Sequence, residues 1–503
     1  MVYPTIRVAS QPGKLLMGVF DGDGAYVDDT ALNRRAGEQG APVPHGLFPV
    51  VTDADVPEAI YAGPLYFHFG HFLLESLARA WYAHRHPDVP FVWAGQHDWQ
   101  GMELRPWQSE LLDILEITNP TRIIADPTRF EVLHVPDLGY RYDDRFHPEH
   151  VEFLGRYRGP AQVPGQRLWL SRSRVSSDAR DLNSEPTERR LTDAGWTIAH
   201  PEDLRVREQL DHLSRAELVA GEEGSAFHTL VLLEDVTAKR FHILRRHGHE
   251  HPNMHTVGDA RHVDQRFSSL ERQRVLRAEG RFVSKVSPNA SEILDLLGVP
   301  VLPVSEAESD VAELLLPPIL ADLEPRRFLD VGSSSPHLVL GSSAAARVAV
   351  SPRFDVDPRV YADTPVDFYE LGLKQYAELF HESRDRFDVI RITGPDFPSI
   401  MESFRVSKRL AQPGTTWILG SGPVAARAAL AIRLTHAAFT VRRLLVGRTS
   451  VYVAHRTLGE PHNEAAVGKL SRDEVRSRLR WLPPTSRRML RSRRPTPQAA
   501  PDD

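Results

Sequence analysis

Cysteine is absent from the 503 residues. That excludes disulfide staples, thiolate metal sites and cysteine nucleophiles. Lysine is scarce as well: only Lys14, Lys239, Lys285, Lys374, Lys408 and Lys469 stand among the 61 basic residues, and arginine carries the rest. A GC-rich genome produces such a skew, so only position can give a single arginine a role, although its fixed fork suits phosphate. No apolar run approaches the roughly 18 to 20 residues that a spanning helix needs. The first residues, MVYPTIRVASQPGKLLMGVF, have no charged n-region, h-region or small-residue cleavage site, so no secretion signal is expected. A basic surplus is missing too: 61 Lys+Arg against 67 Asp+Glu leave a net charge of −6, which argues against nucleic acid as a partner.

What is present is ordinary globular chemistry, 41% hydrophobic and 25% charged. At roughly 150 residues per domain the length suggests about three domains. After an irregular Gly/Pro/Asp-rich lead-in, HFGHFLLESLARAWYAH sets Phe69, Phe72, Leu73, Leu77, Ala80 and Trp81 at helical spacing. FVWAGQ, RIIAD and FEVLHVPDL read as strands and WQSELLDILEI as a helix. Such alternation implies a parallel, doubly wound sheet. Beyond a Gly/Pro connector at Arg156–Gln166, a second series opens with RLWLSR, a helix ended by Gly195, WTIAHP, REQLDHLSRAE, LVAGEEGSAFHTLVLL and KRFHILRR. RFSSLERQRVLRAEGRF is expected to be helical. A third α/β series starts at RRFLDVGSSS, with RVAVSP as its second strand and FDVIRIT as its fourth.

Three constellations carry chemistry. In His68-Phe69-Gly70-His71-Phe72-Leu73-Leu74-Glu75, His71 and Glu75 are four apart and share one helix face. Either can serve as the base for a hydroxyl, or the carboxylate can orient the imidazole. A helix start with one polar face would leave the same pattern. In Val219–His228 a strand runs through Gly221-Glu222-Glu223-Gly224-Ser225 into a helix, whose N–H groups and Ser225 hydroxyl suit an anion. A tight βα turn needs the same glycines. After RLWL come Ser171-Arg172-Ser173-Arg174 and then Asp181–Glu185, where arginines leaving a strand's C-terminal end face the crevice of an open sheet. An exposed loop in an arginine-rich chain is the plainer account of them.

Taken together, HFGHFLLESLARAW, RLWLSRSR…NSEPTERRLTDAGWTIAHPEDLRVREQLDHLSRAELVAGEEGSAFHTLVLL and RFHILRR…HPNMHTV resemble glycosyltransferase family 61 over roughly residues 60–260. The resemblance implies a GT-B-like pair of Rossmann-type domains and inverting, metal-independent transfer from a nucleotide-sugar to a glycan acceptor. It places the helix-start histidine on His71, with Glu75 following, as catalytic residues. It places donor binding on Arg172 with Arg174, Glu185, Glu208, Glu223, Gln209, Gly224, Ser225 and His228. Where many members have a histidine before that glycine, this chain has Glu223. Where Asn often follows the turn, it has His228-Thr229.

Phe328-Leu329-Asp330-Val331-Gly332-Ser333-Ser334-Ser335-Pro336, with FDVIRITGPDF some 60 residues on, resembles a class I S-adenosylmethionine-dependent methyltransferase over roughly residues 325–455. A cofactor loop would then involve Asp330, Gly332 and Ser333, with Asp355 for the ribose. Serines replace much of the expected glycine, and Arg391-Ile392-Thr393-Gly394-Pro395-Asp396 stands where an Asp-Gly-Asp-His type run is common, so a degenerate unit is favoured over a working one. The expected organisation is an acceptor-side α/β domain (1–160), a nucleotide-sugar domain (161–275), a helical linker (276–320), a methyltransferase-like domain (321–460) and a basic tail (461–503). The tail carries nine arginines between Arg472 and Arg494, with Trp481, Leu482, Met489 and Leu490 among them. Such a mixture can touch an anionic membrane, or simply remain disordered. A cytoplasmic enzyme, at the inner membrane face if the tail docks there, is expected. A glycan methyltransferase, a bifunctional enzyme and a non-catalytic glycan-binding scaffold are the alternatives. The donor sugar and the oligomeric state stay open.

Overall fold

The structure is a computed structural model. It describes residues 1–7, 15–30, 33–35, 38–39, 51–95, 103–142, 144–175, 184–245, 252–270, 273–276, 282–286, 290–301, 316–380, 386–435, 439–446 and 449–456. The basic tail expected over 461–503 lies outside the described residues. The chain divides into two compact units, Met1–Arg180 with Glu188–Leu270, and Asp181–Thr187 with Glu271–Asp503.

The first unit holds two parallel sheets. One consists of β1 (Glu58–Pro64), β2 (Phe91–Ala94), β3 (Thr121–Ile124) and β4 (Val132–His134) in the order β4-β1-β2-β3. All four residues of β2 are buried, the mark of a parallel strand covered on both faces. The second sheet consists of β5 (Arg167–Leu170), β6 (Thr197–Ala199), β7 (Leu218–Glu222), β8 (Arg240–Arg245) and β9 (Asp264–Ser269), in the order β6-β5-β7-β8-β9. Numbered along the chain that order is 2-1-3-4-5, so the strand order reverses between β5 and β7, all strands running parallel. One apolar core joins the sheets, with Ile60, Phe91 and Trp93 of one meeting Leu168, Val219 and Ile243 of the other. A cross-sheet cap reinforces it. Glu110, on the helix Pro106–Ile114, accepts the Val206 N–H at 3.0 Å and the Arg207 N–H at 3.2 Å, the orphan donors that open the helix Val206–Arg215.

Two expectations are corrected. The helix across residues 69–81 is broken: Phe69–His71 is α-helical, Phe72–Ser76 is a π turn with Leu77 N–H bonded to Phe72 O, and α-helix resumes only at Ala80–Ala83. The cause is competition for Ser76 and Arg79. The Trp93 indole N–H takes the Ser76 carbonyl at 2.9 Å, and the Ser76 hydroxyl donates to Pro64 O at 2.7 Å. Arg79, 2% exposed, reaches Pro136 O and Asp29 O. Nor are the described residues of RFSSLERQRVLRAEGRF helical. Asp264–Ser269 is the edge strand β9, paired with β8 over six residues, and Gln273–Leu276 pairs antiparallel with Phe282–Val286. Long-range ladders, invisible to local periodicity, override the helical pattern there.

The second unit is built on one seven-stranded sheet. Its strands are β10 (Arg327–Val331), β11 (Ala346–Val350), β12 (Val366–Tyr369), β13 (Phe387–Ile392), β14 (Ala411–Ser421), β15 (Phe439–Val446) and β16 (Thr449–Arg456). Their order, β12-β11-β10-β13-β14-β16-β15, is 3-2-1-4-5 parallel followed by an antiparallel hairpin. Both units are therefore Rossmann-like α/β structures.

Candidate active site

An open parallel sheet offers its ligand crevice beyond the strand C-termini, where the strand order reverses. In the first unit that point lies between β5 and β7. Arg172 follows β5, and Gly224-Ser225 follow β7. A Cβ on Gly224 would collide with the Arg172 guanidinium, so the arginine lies directly over the turn. Gly70 makes the matching approach from the other sheet: a Cβ there would stand 2.9 Å from Ser225 Cβ and 3.0 Å from His228 Cδ2. Bare backbone at these two positions lets the His71 turn sit against the Gly-Ser turn.

Two cavities open here. One, about 190 Å³, is lined by His71, Glu75, Arg172, Glu223, Gly224, Ser225 and His228, all expected from sequence. The other, about 290 Å³, is lined by Phe67, Phe69 and Trp107 together with Glu202, Gln209 and Glu222. Arg172, Gly224 and Ser225 line both. Glu222 and Glu223, neighbours at the end of β7 and both buried, line different cavities, as alternation along a strand dictates.

His71 Nδ1 and Glu75 Oε1 form a direct hydrogen-bonded pair. The carboxylate side chain is 10% exposed and the imidazole 30%, so the acid sits behind and the ring faces the opening. With Nδ1 engaged, Nε2 is the nitrogen that can exchange a proton with a ligand. The ring is packed among others: Tyr66 at 5.3 Å, His68 at 5.0 Å and Tyr142 stacked at 6.2 Å. Burial foremost, then His71 and Arg172, push the His68 imidazole below its ordinary pKa, while Glu75 pulls the other way. His68 is therefore disposed to stay neutral beside the dyad.

Three expected donor residues stand outside both cavities. Arg174 is ion-paired to Asp203 at 2.7 Å on the surface. Glu208 accepts the Arg205 N–H at 2.8 Å as a helix cap. Glu185 is exposed on the first turn of the helix Ser184–Asp193. Gln209 does line the larger cavity, but its amide donates to Pro201 O and Leu204 O, holding the loop that forms the wall. Sequence reading passed over His68, Tyr142 and Asn253 in the smaller cavity and Phe67, Phe69 and Trp107 in the larger. His68 and Phe69 lie in the motif that yielded His71. Trp107 arrives from a different helix and leaves no local signal.

The second unit has its own reversal point, between β10 and β13. Asp330 of β10 and Arg391 of β13 are register partners. The guanidinium lies 3.0 Å from Asp330 Oδ1 and also binds the Ser333 hydroxyl, with Asp330 1% and Arg391 4% exposed as side chains. Ser333 Oγ donates to Asp330 at 2.8 Å. Ser334 is bonded to Asp355 through its hydroxyl and through its carbonyl, which accepts the Asp355 N–H at 2.9 Å. Gly332 (φ +82°) packs on Thr393 backbone, so no side chain is accommodated at that turn.

Among the described residues no group of three or more His, Asp or Glu side chains converges as a metal site, and no helix is long and apolar enough to cross a membrane. No curated protein matches the chain. Among solved structures, an O-methyltransferase from Bacillus cereus in complex with SAH shares 18% identity and a TM-score of 0.24, covering 33% of this chain and 88% of that one. A 16S rRNA N2 G1207 methyltransferase from T. Thermophilus shares 16% identity and a TM-score of 0.25, covering 61% and 91%. Scores of that size do not establish a common fold. The family model Glycosyltransferase 61 matches residues 69–239. That stretch contains every residue lining the two cavities except Phe67, His68, Asn253 and Met254, and its match supports the assignment of this enzyme as a glycosyltransferase.

Proposed function

We propose that the first unit transfers a sugar from a nucleotide-sugar to a hydroxyl of a glycan acceptor with inversion, its two sheets acting as a GT-B-like pair. One observation carries this reading: among the described residues the two cavities share Arg172, Gly224 and Ser225. A ligand filling both must be bipartite with an anionic middle. The aromatic cavity takes the nucleoside, the polar one takes the sugar, and the diphosphate lies under Arg172. An arginine fork and a turn of backbone N–H groups suit that charge.

The steps follow from this placement. The acceptor hydroxyl gives its proton to His71 Nε2 while Glu75 holds Nδ1–H and stabilises the imidazolium. The acceptor oxygen bonds to the anomeric carbon from the face opposite the diphosphate. The anomeric C–O bond to the phosphate breaks, and its electron pair goes to the phosphate oxygen, where Arg172 and the Ser225 turn meet the growing charge. No resident cofactor takes part.

The methyltransferase alternative is not favoured. The residues expected for S-adenosylmethionine do not fit it: Asp330 and Ser333 are bound to buried Arg391, and Asp355 to the loop itself. We read the second unit as non-catalytic, and S-adenosylmethionine titrated into the full chain should give no saturable heat. Micromolar saturation would restore the alternative. For the transferase, the decisive experiment is a screen of sugar nucleotides for nucleoside diphosphate release. Slow hydrolysis of one group of donors, accelerated by a glycan acceptor, is expected. No binding or turnover of any donor would sink the proposal.

A further inference from the structure

The strands Tyr140–Arg141 and Arg145–Phe146 form an antiparallel hairpin at the edge of the smaller cavity. Side chains alternate in direction along it. Arg141 turns outward to the Asp29 carboxylate, at 3.1 Å from Nη1 to Oδ1. Tyr140 and Tyr142, two residues apart, turn the other way. Tyr142 lines the cavity and stacks on His71 with ring planes 23° apart. Tyr140, 2% exposed, donates its hydroxyl proton to Asn253 Oδ1. Asn253 is itself 4% exposed, stands in the first turn of the helix Pro252–Arg261, and lines the same cavity.

A buried amide is tolerated only when hydrogen-bonded, and a phenol buried beside it defines which end is which. With the Tyr140 hydroxyl on Oδ1, Nδ2 is the end of the amide that can donate. Asn253 lines the smaller cavity and is not part of the larger one. It can therefore meet the sugar and not the nucleoside. We infer that Asn253 reads an oxygen of the transferred sugar and that Tyr140 is its positioning residue, in a hairpin whose Tyr142 also orients His71. This rests on the nucleotide-sugar reading above.

The test uses the full chain and calorimetric titration with uridine and guanosine diphosphates and with their glucose, galactose, N-acetylglucosamine, xylose and mannose esters. Asn253→Asp should bind the free diphosphate as the wild type does and lose about 10- to 100-fold in affinity for the ester, since a donor becomes an anion. Tyr140→Phe should lose about 3- to 10-fold, again only for the ester, and add nothing to Asn253→Asp in the double variant. Unchanged ester affinity in a folded Asn253→Asp protein overturns the inference and leaves the transferase reading standing. If Asn253→Asp does not fold, Tyr140→Phe decides: equal losses for diphosphate and ester, or none, overturn the positioning role. A wild type that binds neither diphosphate nor any ester overturns the reading beneath, and the inference with it.

Discussion

Both units end a parallel strand in a glycine–serine turn at the point where the strand order reverses, and both place an arginine there. In the first unit Arg172 leaves the strand end and borders two cavities. In the second, Arg391 stays inside β13 and faces Asp330, its register partner on β10. One guanidinium lines two cavities, and the other is held by the protein's own buried carboxylate and hydroxyl. A Rossmann-like sheet supplies the crevice, then, but the charge left facing it decides whether anything anionic can bind.

Substitutions can break that contrast. The largest effect belongs to His71→Ala, which should lower transfer by about 10²- to 10⁴-fold with thermal stability near wild type. Glycosyl transfer monitored by diphosphate release reads it, and an unaffected rate would remove His71 from the chemistry. Next comes Arg391→Met, which strands the Asp330 carboxylate in the core and should cost the second unit about 3–5 kcal/mol in denaturant unfolding. Adding Asp330→Asn should recover most of the loss; failure to recover would mean the pair is not what holds the loop. Arg172→Ala tests the other side. Transfer should fall about 10²- to 10³-fold with little change in unfolding midpoint, the outcome expected of the proposed role of its charge at the leaving group. Similar stability losses at both arginines would dissolve the distinction.

The smallest effect concerns a charge that is excluded. His150, fully buried between Phe146 and Phe153, has neither ring nitrogen hydrogen-bonded, and burial lowers its pKa to about 3. The unfolded chain protonates near pH 6.5, so between about 6.5 and 3 it holds the extra proton. Stability is then fully present above that window and declines as pH falls through it, by about 1.4 kcal/mol per unit. His150→Leu should flatten the slope in denaturant melts at pH 7, 6 and 5. An unchanged slope would locate the acid sensitivity elsewhere.

Much of the site was legible because its parts are short and local. His71 and Glu75 lie one turn apart, and Gly224-Ser225 follow a strand at once. Such spacing survives even the π turn that replaced the expected helix. Arg172 was legible through its place after RLWL. Glu208 and Arg174 were not distinguishable from it by type, and only their partners, the Arg205 N–H and Asp203, show them engaged elsewhere. The strands RLWL, LVAGE and RFLDV were readable from their apolar runs. Asp264–Ser269 was not, since its extended form comes from pairing with Arg240–Arg245 and its own residues fit a helix equally well.

The lack of cysteine, the strand–turn motifs and the dyad spacing are properties of the chain, and they determined by themselves the α/β class and the kind of chemistry available. Tertiary structure decided what those groups face. Arg172 and Arg391 are the same residue near the same sort of turn. Only the neighbouring strand, carrying Asp330 in register with Arg391, makes one a buried tie. Only the approach of Gly70 to Ser225 makes the other the wall of a ligand cavity. Those are contacts between residues distant in sequence, and their energies depend on which surfaces meet, which no local pattern encodes.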